Sequence, residues 1–383
     1  MPFSGRGLVH RSTVTGTQGM VASAHPLATL AGVRMLLNGG NAFDAVVAVA
    51  AALNVVEPYM SGIAGVGYAL VRNAQDKTMR VLDYCGPTPH EARAELFHKV
   101  TDKDHGPRSC LVPGACAGWL ELLAKHGTMS PAQVFAPAIE LAENGYAVTV
   151  RNAQFMSDNG GHLYQTAEDV ILSRGRAPLP GEILVQKNLA QTFRRVAEGG
   201  VEAFYRGDLA KEMVSYIQGE GGWLSEKDLA EFQPEWVEPI MTNYRGYDIY
   251  VPPPPSAGFQ ILQTLNMLEG FDLAGMGHHS ELALHLFIEA VKLGNADRVE
   301  YAADKDIDID GLISKAYAAK RRALIGERAG VHRGEYYPFA KLPGEIEPGQ
   351  PGDWLNECTT HFDVVDKDGN SVAITQSLGS GFG

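Results

Sequence analysis

The chain has 383 residues, 45% of them hydrophobic and 20% charged, enough to bury a sizeable core in one large domain or two to three ordinary ones. Its formal net charge of −13 argues against a general nucleic-acid binder and against attraction to anionic membrane surfaces. Four irregularly spaced cysteines, Cys85, Cys110, Cys116 and Cys358, form no C-x-x-C pair and read as reduced thiols, not a disulfide framework.

The N-terminal stretch lacks the apolar core of a signal peptide, which predicts a cytoplasmic protein, or a periplasmic one if a leader precedes Met1. His25-Pro26 opens a helical pattern that closes at Asn38-Gly39-Gly40. Asn41 is placed to cap a second helix, Ala42 to Asn54, whose Ala/Val composition predicts burial on most sides. Tyr68–Arg72 and Met79–Tyr84 read as a strand pair around a turn. Gly62, Gly65 and Gly67 do not fit G-x-G-x-x-G, so no dinucleotide fingerprint is present, and they predict close backbone approach instead.

Helices are expected over Ala115–Ala124, from Ser130-Pro131 to Asn144, and over Asn188–Ala197, the last ending at Gly199-Gly200. Ser225 to Asp228 has the form of a capping box. Pro252–Pro255 predicts an extended segment, after which Ser256 would cap a helix over Ala257–Glu269. A further helix is expected over Glu281–Ala302, and the Gly/Pro-rich stretch Ala329–Pro351 reads as an exposed loop. His278, His279 and His285 lack a second ligand cluster and read as surface histidines.

The informative segment is Cys358 to Ser377. Asp368-Gly369 sits between two alternating runs, the pattern of a β-hairpin. Pairing Val364 with Val372 and Phe362 with Ile374 makes one face wholly apolar. The same register pairs Asp363 with Ala373, His361 with Thr375 and Thr359 with Ser377. A slip of one residue would mix the faces. Thr359 and Ser377 would then be cross-strand neighbours with Cβ atoms within about 5 Å, close enough for their hydroxyls to meet.

These residues, with Ala22–Pro26, Gly39–Asp44, Gly62–Gly67, Val112-Pro113-Gly114, Pro253–Ser256, Ala296-Asp297-Arg298, Thr359-Thr360-His361 and Asp366–Gly369, resemble the γ-glutamyltranspeptidase family of N-terminal-nucleophile hydrolases. The resemblance runs through nearly the whole chain. It implies an α+β fold, an αββα sandwich, made as a proenzyme that cleaves itself between Cys358 and Thr359. Residues 1–358 would be the large-subunit portion of a single domain and residues 359–383 the start of the small subunit. With only 25 residues after that bond, the chain reads as a truncated proenzyme holding little of the second half of the sandwich.

The resemblance implies Thr359 as nucleophile, its freed α-amine (reference pKa about 7.7–8.0) as base, and Ser377 as the supporting hydroxyl. Cys358 is a rival nucleophile placed behind Thr359. Thr375, Gly379 and Cys85 fall at substrate-binding positions. His361 is expected to orient its neighbours. No cofactor and no metal are implied. The implied partners are a small-molecule amide and an amine or water acceptor, with a large- and small-subunit heterodimer after cleavage.

Two departures bear on the substrate. The family's γ-glutamyl enzymes carry an arginine where Cys85 stands and an asparagine where Gly379 stands. A thiol cannot make arginine's bidentate contact with a carboxylate, and Arg80, at an odd offset along the strand, is no replacement. The principal expectation is γ-glutamyl amide hydrolysis or transfer. The alternatives are hydrolysis of another small amide, of oxamate amidohydrolase or cephalosporin/glutaryl acylase type, and a non-catalytic relative that acts as a binding protein.

Overall fold

A helix made almost entirely of Ala and Val organises the molecule. In the computed structural model, which describes residues 13–97, 106–160, 165–172, 174–302, 307–329 and 358–379 with Leu163 and Phe382, helix α1 spans Pro26–Leu37 and α2 spans Ala42–Val56. All fifteen residues of α2 are buried. Small side chains let neighbours approach it from every side. A capping box starts it: the Asn41 side chain accepts from Phe43 N and Asp44 N, and Asp44 accepts from Asn41 N. The Asp44 carboxylate also accepts from Thr128 N, Thr128 Oγ1 and Met129 N, so this buried charge is met by hydrogen bonds.

The strands are β1 Gly19–Ala22, β2 Val66–Arg72, β3 Met79–Asp83, β4 Tyr146–Ala147, β5 Ile183–Leu184, β6 Glu235–Val237, β7 Ile240–Tyr244, β8 Tyr247–Val251, β9 Cys358–Asp366 and β10 Ser371–Gly379. Six of them form one antiparallel sheet in the order β1-β9-β10-β2-β3-β6. The C-terminal hairpin thus lies in the middle of the sheet, between strands from the N-terminal quarter of the chain. Helix α2 packs against β9 and β10 and buries Phe362, Val364, Val372 and Ile374 at 1% exposure or less. The opposite face, with Thr359, His361 and Thr375, is exposed.

Helices α3 Ala115–His126, α4 Pro131–Asn144, α5 Val150–Asn159, α6 Gln165–Ile171 and α7 Lys187–Tyr205 follow. The α+β class agrees with the sequence reading, and the described sheet carries helices on one face. A second, smaller core of Met267, Leu268, Ala290, Leu293 and Ala318 joins the helices Phe259–Leu268, Glu281–Tyr301 and Lys315–Arg322.

Two local readings change. Ser256 does not cap the helix after the prolines: its hydroxyl accepts from Gly258 N at 3.1 Å, and the helix begins at Phe259. Residues 257 and 258 form a turn ahead of the helix, so Gly258 and not Ser256 occupies the N-cap position. The stop read at Gly199-Gly200 is a break within α7, with Gly200 at φ 62°, after which helix resumes to Tyr205. All but the first residue of the stretch read as a loop, Ala329–Pro351, lies outside the described residues. No helix among the described residues is long and apolar enough to cross a membrane.

Candidate active site

The hairpin adopts the register inferred from its faces: Val364 opposite Val372, Phe362 opposite Ile374, Asp363 opposite Ala373, His361 opposite Thr375 and Thr359 opposite Ser377. Its turn is locked by Asp366. One carboxylate oxygen accepts from Asp368 N and Asn370 N at 3.0 Å each, and the other accepts from Asn370 Nδ2 at 2.8 Å and Ala42 N at 3.0 Å. The last contact ties the turn to the first residue of α2, where the helix favours negative charge. Gly369 takes φ 88°, as the turn requires.

At the other end three groups meet. Thr359 Oγ1 donates to Ser377 Oγ at 3.1 Å. Ser377 Oγ donates to the carbonyl oxygen of Cys358, the carbonyl of the Cys358–Thr359 peptide bond. Gly379 N donates to Ser377 Oγ at 2.8 Å. The Gly379 contact depends on a bulge: the register shifts between Ser377 and Gly379, so that Gly379 faces Cys358 at φ 84°. The Ser377 hydroxyl therefore lies between the Thr359 hydroxyl and the carbonyl that precedes it.

Two glycines fix this end of β10 by backbone contact. A Cβ on Gly65 would lie 2.6 Å from Ser377 O, and one on Gly67 would lie 2.5 Å from Thr375 O. The Gly65 carbonyl in turn accepts from Gly114 N and Ala115 N at the start of α3. The sequence expectation of close approach holds at these positions.

The remaining expected residues are placed as follows. Thr375 lies opposite His361, two rows from Thr359, with its hydroxyl 2.7 Å from His361 Nδ1, and His361 Nε2 is 3.1 Å from Asp363 Oδ1. His361 thus orients Thr375. Cys358 is buried, and burial pushes its thiol up, which reduces the thiolate a sulfur nucleophile needs. Cys85 follows β3, with Sγ 3.8 Å from Gly67 O on β2. Burial first, and Asp83 second, push its thiol up to about 11, so it presents a neutral group. Arg80 is engaged with Glu238.

Sequence reasoning missed the layer behind the hairpin. Thr360 and Gln376, paired across the strands, point to the helical side and are buried at 3% and 1% exposure. Thr360 Oγ1 donates to Glu57 Oε2 at 3.3 Å, and Gln376 Nε2 donates to Ser61 Oγ at 3.0 Å. The available signal was Glu57-Pro58, a carboxylate ending an apolar helix, which reads only as a helix stop.

The family model described as gamma-glutamyltranspeptidase matches residues 28–383. The chain is 38% identical to an acylase ACY 1 proenzyme of Pseudomonas sp. (strain SE83), over 97% of this chain and 67% of that protein. It is 35% identical to the glutathione hydrolase proenzyme of Escherichia coli (strain K12), over 97% of this chain and 64% of that protein. The chain thus spans about two thirds of the length of these relatives. A crystal structure of cephalosporin acylase from Bacillus halodurans superposes with a TM-score of 0.85 at 35% identity, covering 100% of this chain and 70% of that one.

Proposed function

The chain belongs to the gamma-glutamyltranspeptidase family, and on that premise we propose that it is a self-cleaving amide hydrolase or acyl transferase with Thr359 as its nucleophile. The observation that carries this reading is the position of the Ser377 hydroxyl between Thr359 Oγ1 and the Cys358 carbonyl.

In the intact chain, Thr359 Oγ attacks the Cys358 carbonyl carbon. Ser377 donates to the carbonyl oxygen as it gains negative charge, and Gly379 N supports the Ser377 oxygen. The C–N bond breaks, the hydroxyl proton passes to the departing nitrogen, and the chain is joined through an ester. Water then hydrolyses the ester, leaving a Cys358 carboxylate and a Thr359 with free amine and hydroxyl. That amine, close to its own hydroxyl and partly neutral near pH 7.5, serves as base in turnover. The substrate acyl group is carried on Thr359 and released to water or an amine. The two subunits stay joined by the β9 and β10 pairings to β1 and β2.

The principal substrate reading is a γ-glutamyl amide of the glutathione type. A second reading, a small amide without an α-amino acid head group, is favoured by Cys85, whose neutral thiol offers no charged contact for a carboxylate.

Gel and intact-mass analysis of the full chain tests the proposal. Two fragments meeting at Cys358–Thr359, absent in Thr359→Ala, are the expected result. A chain that stays whole and turns over no γ-glutamyl anilide, oxamate or glutaryl amide supports the binding-protein alternative and refutes this reading.

A further inference from the structure

The helical face of the hairpin is apolar at Phe362, Val364, Val372 and Ile374 and polar at its two ends: at Asp366 beside the turn, whose carboxylate bonds Ala42 N, and at the Thr360–Gln376 row next to Thr359–Ser377. That row meets a polar cluster at the end of α2. Glu57 is 5% exposed and takes the Thr360 hydroxyl bond. Ser61 takes bonds from Gln376 and from Asn54 Nδ2 at 3.2 Å. Gln376 Oε1 and Asn54 Oδ1 have no partner among the described residues. A buried carboxylate with unsatisfied amides beside it costs stability that Val or Leu side chains would not. Packing alone does not account for its place under the nucleophile.

We propose that Glu57 is a positioning residue for self-cleavage: it holds Thr360 from the helical side, so that Thr359 on the opposite face of the same strand stays aligned on Ser377 and the Cys358 carbonyl, and its protonation loosens that hold. The inference rests on Thr359 being the nucleophile. Among the described residues, Thr360 faces the carboxylate from β9, Tyr59 from its own loop and Tyr146 from β4, and the Cys358 thiol acts on Tyr59. Arg151 of α5 acts on the carboxylate electrostatically while stacking over Phe155. Asn152 donates to Tyr59 Oη at 2.8 Å and to Val56 O at 2.8 Å, holding the loop. Burial keeps the Glu57 carboxyl above its usual range, against the pull of Thr360 and Arg151. His361 and Asp363 lie on the other face and bond Thr375 and each other.

The test follows self-cleavage of freshly synthesised full chain by gel and intact mass from pH 4.5 to 9, for wild type, Glu57→Gln, Glu57→Asp and Thr360→Val, with thermal melts of each. Wild-type cleavage slows on the acid side with a midpoint above the usual carboxylate range, and Glu57→Asp keeps that limb. Glu57→Gln cleaves about tenfold more slowly at neutral pH, the scale of one charge-assisted hydrogen bond, and loses the acid limb without melting lower. Thr360→Val gives the same flattened profile and carries the test if Glu57→Gln does not fold. A merely structural role would lower the melting temperature and scale the rate equally at every pH. Wild-type rates and limbs in Glu57→Gln or Thr360→Val overturn the inference and leave the Thr359 reading intact. A wild-type chain as inert as Thr359→Ala overturns both.

Discussion

Replacing Ser377 with Ala separates chemistry from folding at this site. The substitution removes one hydrogen bond to the Cys358 carbonyl, one from Thr359 Oγ1 and one from Gly379 N. Ser377 is only half-buried and its backbone pairing with Thr359 and Val66 does not involve the side chain, so the folding cost is about 1 kcal/mol. The kinetic cost is larger, because the carbonyl oxygen loses the donor aimed at it where negative charge develops. Removing one such donor typically costs about 10²- to 10³-fold, or ~2.7–4 kcal/mol of barrier. A gel time course of full-length chain, with fragment masses fixing the break at Cys358–Thr359, reads the rate, and a urea melt reads the stability. Ser377→Thr restores a hydroxyl and recovers most of the rate. Cleavage of Ser377→Ala within twofold of wild type would refute the role assigned to this hydroxyl. So would a stability loss large enough to explain the slowing by itself.

Asp366→Ala leaves Ala42 N, Asp368 N and Asn370 N without their acceptor, and a loss of about 3 kcal/mol in a urea melt is expected; a change under 1 kcal/mol would mean that the turn is held otherwise. Cys85→Arg supplies a charged fork beside Gly67 and should raise kcat/KM for a γ-glutamyl anilide about tenfold over wild type, with self-cleavage unchanged; no gain would remove Cys85 as the determinant of acyl-group choice. Burial lowers the pKa of His25 below its ordinary 6.5, so the unfolded chain takes up the proton first and stability falls as pH drops below 6.5 toward the folded value. His25→Asn keeps a side-chain acceptor for Leu27 N and removes the proton, so its melting temperature should change less between pH 7.5 and pH 5.5; an identical change would place the titration elsewhere.

Much of the hairpin was legible because two independent constraints agree there. The Asp368-Gly369 turn fixes where the strands reverse, and the apolar alternation fixes which residues face inward, leaving one register. Local caps were equally readable: Asn41 caps α2 and Ser225 bonds with Asp228 as expected, while the reciprocal bond from Asp44 to Asn41 N was added by the structure. Ser256 misled because the helix begins two residues later than expected, at Phe259 behind Gly258, although the serine hydroxyl still accepts from Gly258 N. The Glu57–Thr360 contact was beyond reach for a different reason. It joins positions 303 apart, one at a helix end and one on a strand, and no periodicity links them. The Asp366 tie to Ala42 is hidden in the same way. Roles at the site came from the resemblance, and their geometry from the fold.

On the proposed reading, the site has a part that makes the nucleophile and a part that meets the acyl group. Thr359, Ser377 and the Cys358 carbonyl are placed by backbone: by strand pairing, by the bulge at Gly379, and by Gly65 and Gly67 pressed on β10 without a Cβ between. Gly379 contributes its N–H to Ser377, which any residue except proline supplies in that conformation, although φ 84° favours glycine or asparagine. Cys85 lies one strand farther and, among the described residues, bonds Gly67 O, Asp83 and Tyr68, apart from Thr359, Ser377 and the Cys358 carbonyl. Side-chain changes at positions 85 and 379 can therefore alter which acyl group is held while the cleavage geometry persists. It follows that Cys85→Arg and Ser377→Ala should act additively on their separate readouts, substrate preference and self-cleavage; strong coupling between them would show that the two parts of the site are one.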